Sequence, residues 1–168
     1  DTPFGLAAHS GRYFVGDNTN NRILKTDGSN VYFATGSFGS GNGQFDHPRG
    51  IAVNFNGSSV FVADNNNNRV QRFSASDGTY QGQWGTLGTG DGEFNILYGI
   101  AADSTYVYVV DRGNHRIQKF TASGAFVTKW GTLVDLFSPA FIAVDSTGSH
   151  VFVADQTLDR VTKYTTTG

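Results

Sequence analysis

An aspartate followed five residues later by an arginine that opens an apolar strand recurs four times in this chain. The pairs are Asp17 and Arg22, Asp64 and Arg69, Asp111 and Arg116, and Asp155 and Arg160, spaced 47, 47 and 44 residues apart. A pattern that returns at such a period marks one supersecondary unit used repeatedly. A single unit of this size cannot bury its own apolar faces, so each must lean on its neighbours. The repeat therefore constrains the fold far more tightly than it constrains the activity.

Each unit reads as four short strands. In the second unit, residues 50–53 form an apolar run without alternation, as expected of a strand buried on both faces. Asn56-Gly57 lies at the centre of a hairpin turn, and Val60 to Ala63 form a second strand. A polar loop follows at residues 64–68. Residues 69–73 and 80–84 then alternate apolar and polar, which predicts one buried and one solvated face for each. Burial is expected to fall from the first strand to the last. The other units follow the same plan, and no stretch carries helical periodicity.

These features predict an all-β chain: a β-propeller of four-stranded antiparallel blades, about four of them, in a single unit over residues 1–168. The blades are expected near residues 3–37, 48–85, 97–131 and 139–168. The last lacks a fourth strand, so the segment from Arg160 to Tyr164 is expected to be an open edge, prone to association. The ring is then either partial or closed by assembly.

Composition removes several function classes. The chain has 14% aromatic and 38% hydrophobic residues, enough for a packed core. Its net charge of −2 gives no general attraction to nucleic acid. The lack of cysteine excludes disulfides, thiolate metal sites and cysteine nucleophiles. No apolar run is long enough for a membrane-spanning helix. The lack of methionine suggests a processed or excised segment. Many Asn, Ser, Thr and Gly with only 15% charged residues suggest a secreted or cell-surface protein.

The segments Val109 to Phe120 and Phe126 to Gly131 resemble the NHL repeat, and Arg49 to Val53 and Val62 to Asp64 match its opening strands. The repeat's Asn-His pair stands at Asn114-His115; it is Asn20-Asn21, Asn67-Asn68 and Leu158-Asp159 elsewhere. The resemblance implies a propeller usually of six blades, of which four would be about two-thirds. It also implies two further possibilities. One is a lyase-like enzyme using His47 and His115. The other is RNA binding, which the acidic balance opposes.

The Asp–Arg pairs read first as struts. The aspartate can accept backbone N–H groups in its loop and pair with the planar fork of the arginine. Equal recurrence in every blade favours structure over a ligand site. Binding is expected instead on the face that carries the blade connections, with Phe4, His47, Arg49, Tyr98, Asn114 and His115 as candidates for a protein, peptide or glycan partner. Asp46-His47 and the acidic pair Asp91 and Glu93 offer oxygen ligands to calcium, but their spacing matches no calcium loop. No cofactor is expected. His9 and His150 fall in turns at the opposite end from His47 and His115. The functional expectation is a non-enzymatic binding or assembly scaffold. The alternatives are the lyase-like enzyme and a structural subunit that polymerises through its open edge.

Overall fold

A computed structural model describes residues 2–168. It contains fifteen strands in four antiparallel sheets, each a meander in chain order. Blade one is β1 (Pro3–His9), β2 (Arg12–Asp17), β3 (Arg22–Thr26) and β4 (Val31–Thr35). Blade two is β5 (Pro48–Val53), β6 (Ser59–Asp64), β7 (Arg69–Ser74) and β8 (Tyr80–Trp84). Blade three is β9 (Leu97–Ala102), β10 (Tyr106–Asp111), β11 (Arg116–Thr121) and β12 (Phe126–Trp130). Blade four has three strands: β13 (Pro139–Val144), β14 (His150–Asp155) and β15 (Arg160–Thr165). This is the propeller arrangement the repeat predicts.

Turn chemistry sets the meander. In the β5–β6 turn, the Asn54 side-chain oxygen accepts the N–H groups of Ser58 and Ser59. Gly57 there takes a φ of 68°, a left-handed conformation that glycine reaches without steric cost.

Blades pack front to back. The front of blade one presents Ala7, Phe14, Ile23 and Phe33 to Ile51, Val53, Val60, Val62 and Phe73 of blade two. Phe61, Val70 and Trp84 of blade two meet Ile100, Val107, Val109 and Phe120 of blade three in the same way. Tyr108, Ile117 and Trp130 of blade three meet Ile142, Val151, Val153 and Tyr164 of blade four. Full burial of each large apolar side chain contributes roughly 1.5–3 kcal/mol, so these joints dominate stability.

Each joint is also tied. The Lys25 ammonium donates to the Ala75 carbonyl at 2.7 Å, Arg72 to Ala122 at 3.3 Å and Lys119 to Thr166 at 3.0 Å. The innermost strands approach so closely that glycine is required. A Cβ on Gly5, Gly50 or Gly99 would fall within 2.7 Å of the backbone oxygen of Arg49, Tyr98 or Ala140 respectively.

Two repeats realise the Asp–Arg strut in full. Arg69 donates through Nε to Asp64 at 2.8 Å, and through its other nitrogens to the carbonyls of Ser40, Gly41 and Gln44 and to the Gln83 side chain. Arg116 binds Asp111 at 2.7 Å and the carbonyls of Thr89, Gly90 and Glu93. The arginine thus clamps the connection arriving from the preceding blade. Arg22 meets Asp17 at 2.9 Å, but its side chain is 45% exposed and clamps no such connection.

The sequence-based expectation departs from the structure in three places. The fourth pair does not close. Arg160 donates to the Asp135 carbonyl at 2.8 Å, while Asp155 accepts the N–H groups of Ser138, Thr157 and Leu158. Leu158 stands where the other loops have an asparagine that donates to the aspartate, and the connection before blade four is shorter. Burial does not fall steadily outward; it is complete along the second strand, β6, because the first strand borders the axial opening. The polar side of the third strand is covered as well. Gln71 and Gln118 are fully buried and hydrogen-bond the incoming connections through Gln44 and Glu93.

Candidate functional site

The four innermost strands converge on the axis, and a β-bulge in each decides which side chain is aimed there. Pairing of Pro3 with Asp17, Pro48 with Asp64, Leu97 with Asp111 and Pro139 with Asp155 puts the four strands in a common register. The next residue along is Phe4, Arg49, Tyr98 or Ala140. Each lies inside a break of the ladder, where a bulge re-aims a side chain.

Phe4, Arg49 and Tyr98 therefore meet at one mouth of the axis. The Arg49 guanidinium carbon lies 3.9 Å from the Tyr98 ring centroid and 5.5 Å from that of Phe4. Phe4 contacts Tyr98 edge to face at 5.9 Å and stacks on Phe141 at 6.1 Å. A second guanidinium, Arg112, lies 4.3 Å from the Tyr98 centroid. Beneath them lies a cavity of about 210 Å³, floored by Leu6, Ile51, Ile100 and Ile142.

The electrostatics of this mouth are one-sided. Among the described residues, neither Arg49 nor Arg112 has a carboxylate within 4.0 Å. The Nη1 atom of Arg49 is buried and has no hydrogen-bond partner among the described residues. A guanidinium stacked on an aromatic ring keeps its in-plane donors free, which suits a carboxylate or another planar anion.

The remaining sequence candidates lie elsewhere. Asn114 belongs to the strut: its side-chain nitrogen donates to Asp111 and to the Gly88 carbonyl. Asn20 and Asn67 make the matching bonds to Asp17 and Asp64. His115 takes a φ of 55° and its Nδ1 lies 2.7 Å from the Phe137 carbonyl. Asn21, Asn68 and Asp159 hold the same left-handed position, a region Asn, Asp and His tolerate better than other side chains. That accounts for the residue types found before each repeat arginine. His47 lies 2.6 Å from the Asp46 carboxylate and 3.1 Å from the Asn66 amide. The two histidines thus engage separate partners in different blades. Arg112 was not singled out in the sequence. Its signal is the break in the run Asn18, Asn65, Arg112 and Gln156 at the first loop position after each aspartate.

The acidic residues considered for calcium are engaged internally. Glu93 accepts the Gly90 N–H, and Asp91 pairs with Lys129 at 2.6 Å. The described residues hold no group of three or more His, Asp or Glu side chains placed to share a metal.

Residues 45–73, from the buried Phe45 to the end of the third strand's apolar face, match the NHL repeat. The match covers the first three strands of blade two. Its register, strut and glycine gap recur in blade three, and in part in blades one and four. No curated protein matches the sequence. Among solved structures, the chain is similar to hydrazine synthase of Kuenenia stuttgartiensis, with a TM-score of 0.74, 13% identity, and 97% of this chain and 46% of that one covered. It is similar to a chain of a nidogen/laminin complex, with a TM-score of 0.74, 19% identity, and 98% and 59% covered. It is also similar to streptogramin B lyase, with a TM-score of 0.66, 16% identity, and 97% and 54% covered. At these identities the likeness establishes the fold alone. The chain spans about half the length of the structures it matches.

Proposed function

We propose that this NHL-type propeller segment is a non-enzymatic binding scaffold whose axial mouth receives a carboxylate presented by a protein or peptide partner. The observation that carries this reading is the Arg49 guanidinium, held between Tyr98 and Phe4 with a buried donor that no group among the described residues satisfies. The apolar floor of Leu6, Ile51, Ile100 and Ile142 favours a carboxylate flanked by an apolar group over a bare ion or a sugar. The nidogen/laminin neighbour is itself part of a protein–protein complex, which supports a protein partner. A secreted or cell-surface setting, inferred from composition, fits the same role. The lyase-like alternative would need His47 and His115 to act on one substrate, whereas each is bonded within its own neighbourhood.

The test is titration of the chain with a glutamate-rich peptide carrying apolar residues, with a lysine-rich peptide and a uronic-acid glycan beside it. Arg49→Ala and Arg112→Ala are each expected to weaken peptide binding about tenfold or more, since a hydrogen bond to a charged group contributes roughly 1.5–3 kcal/mol. No binding of the acidic peptide, or binding that ignores both substitutions, would refute the reading. Preference for the glycan would reassign the partner class.

A further inference from the structure

The joint between blades one and two and the joint between blades two and three carry the same loop residues, but only the first is closed. Asn18 and Asn21 of blade one stand where Asn65 and Asn68 stand in blade two. At the first joint, Asn18 donates through Nδ2 to the Pro48 carbonyl at 3.0 Å, and Asn21 accepts the His47 N–H through Oδ1 at 3.0 Å. At the second joint neither bond is made. Asn65 turns its Nδ2 to the Asn66 side-chain oxygen at 2.9 Å, and the Asn68 Oδ1 accepts nothing among the described residues. A cavity of about 220 Å³ is left there on the connection face. Blades two and three are each packed against a neighbour on both sides.

The lining of this cavity offers donors and acceptors that the fold does not use. Asn65 is 7% exposed, and its Oδ1 is buried with no partner among the described residues. A buried acceptor left unpaired is costly, and each such group calls for a reason. The Ile96 N–H stands where the His47 N–H meets Asn21, and donates to no group among the described residues. The Asn95 side chain is free in the same sense, whereas Asp46 at the matching position binds Asn66 and His47. Beside these groups lie two aliphatic side chains, Leu87 at 69% exposure and Ile96 at 46%. Ile96 takes a φ of 55°, a region that a β-branched residue enters only under strain; the other non-glycine residues there are Ser, Asn, His and Asp.

No ionisable side chain lines the cavity, so a charged group entering it would lose water without gaining a counter-charge. A main-chain amide brings one donor, one acceptor and a side chain beside them, which matches this lining. We infer that the notch between blades two and three binds a backbone amide of an extended peptide, with an aliphatic side chain of that peptide against Leu87 and Ile96. The inference rests on the carboxylate reading of the axial mouth and adds to it. Ile96 precedes Tyr98 by two residues, so their Cα atoms are at most about 7 Å apart. Arg112 joins the two places: its N–H donates to the Ile96 carbonyl at 3.1 Å, and its guanidinium lies on Tyr98. One segment reaches both, with its carboxylate in the mouth and the amide of an aliphatic residue a few positions away in the notch. The partner is then selected by a short linear pattern and not by charge alone.

The test is calorimetric titration of the chain with a short blocked peptide holding one central glutamate between leucines. Its companions are the Glu→Gln peptide, the Leu→Ser peptides, and a series in which each backbone N–H in turn is replaced by an ester oxygen. Wild type is expected to lose about tenfold in affinity for the ester at one position, because that donor is removed while the chain shape is kept. In Asn65→Leu this ester penalty is expected to vanish while the Glu→Gln penalty persists; in Arg49→Ala the reverse is expected. Leu87→Ser, at an exposed position, is expected to weaken the leucine peptide several-fold and to leave one of the Leu→Ser peptides unchanged. It serves as the second variant should Asn65→Leu fail to fold by circular dichroism. A Glu→Gln penalty with no ester penalty, or with one that survives in Asn65→Leu, overturns the notch and leaves the mouth standing. Should Asn65→Leu not fold, a leucine preference that survives Leu87→Ser overturns it instead. An ester penalty without a Glu→Gln penalty keeps the notch and refutes the mouth. Absence of binding by the glutamate peptide refutes both.

Discussion

Removal of the Arg69 side chain tests whether the repeated Asp–Arg pair is a strut. All five guanidinium N–H groups of Arg69 have acceptors, at 2.7–2.8 Å: Asp64, Ser40, Gln83, Gly41 and Gln44. The side chain is 7% exposed, and its Asp64 partner is fully buried. Arg69→Ala leaves that carboxylate with only the Asp46 N–H, Asn67 and Gln71 as donors. Burial already raises the Asp64 carboxyl against these bonds. Breaking one side of a buried ion pair costs about 3–5 kcal/mol. The three carbonyls freed in the connection can turn toward water, so they add less than their full desolvation cost. About 4 kcal/mol is therefore expected, close to a thousandfold in the folding equilibrium. Arg22→Ala removes the same motif residue where it is half exposed and makes one bond, and about 0.2–1 kcal/mol is expected. Urea denaturation of both variants measures the contrast. Equal losses, or a loss below about 1 kcal/mol for Arg69→Ala, would refute the strut. Arg69→Lys is expected to recover little, because an ammonium cannot reach three carbonyls and a carboxylate together.

Three further outcomes are expected. Gly99→Ala places a methyl 2.7 Å from the Ala140 carbonyl, and a loss of about 1–3 kcal/mol is expected in the same denaturation assay; Gly16→Ala, whose methyl would meet nothing closer than 3.5 Å, is the comparison. Phe94→Ala empties a fully buried anchor between blades two and three, and is expected to cost about 3–5 kcal/mol. At Asp17, burial raises the carboxyl, but hydrogen bonds from Asn20 and Arg22 outweigh it and leave it lowered. A lowered carboxyl contributes stability above its unfolded value, about 3.9, and loses it as pH falls toward the folded value. Asp17→Asn is thus expected to shift the urea midpoint more at neutral pH than at about pH 3, and an equal shift at both would contradict the assignment.

The sequence carried the architecture well because the repeat is written in residue types with single physical uses. Asn56-Gly57 can hardly be anything but a turn, and the strict return of Asp and Arg marks equivalent strands. It carried burial less well. Alternation in residues 69–73 reads as one dry and one wet face, yet Gln71 is buried because the incoming connection covers it. No local pattern announces cover supplied by a segment some thirty residues away. At the site, Phe4, Arg49 and Tyr98 were legible as candidates on the connection face, but their shared register position emerges only from the strand pairing. Asn114 misled because a polar loop residue looks the same whether it faces a ligand or its own aspartate. Arg112 reaches the mouth by packing on Tyr98, a contact between separate strands that spacing alone does not reveal.

Comparison of the four blades separates scaffold from site within a single molecule. Positions that serve the joint vary little: Gly5, Gly50 and Gly99 give way only at Phe141, and Leu6, Ile51, Ile100 and Ile142 keep one character. The bulge residue between proline-like entry and glycine varies completely, as Phe4, Arg49, Tyr98 and Ala140. If that position served packing, one residue type would suit all four, since the surrounding backbone repeats. In blades one to three it instead supplies a ring, a cation and a second ring to one mouth, while blade four presents Phe141 there and buries Ala140. Such a set has no symmetry, and an asymmetric ligand needs none. The loop position after each aspartate follows the same logic: Asn18 donates to the Pro48 carbonyl, whereas Arg112 adds its charge to the mouth. The two departures from repetition meet at Tyr98, which is where the proposed partner would be read.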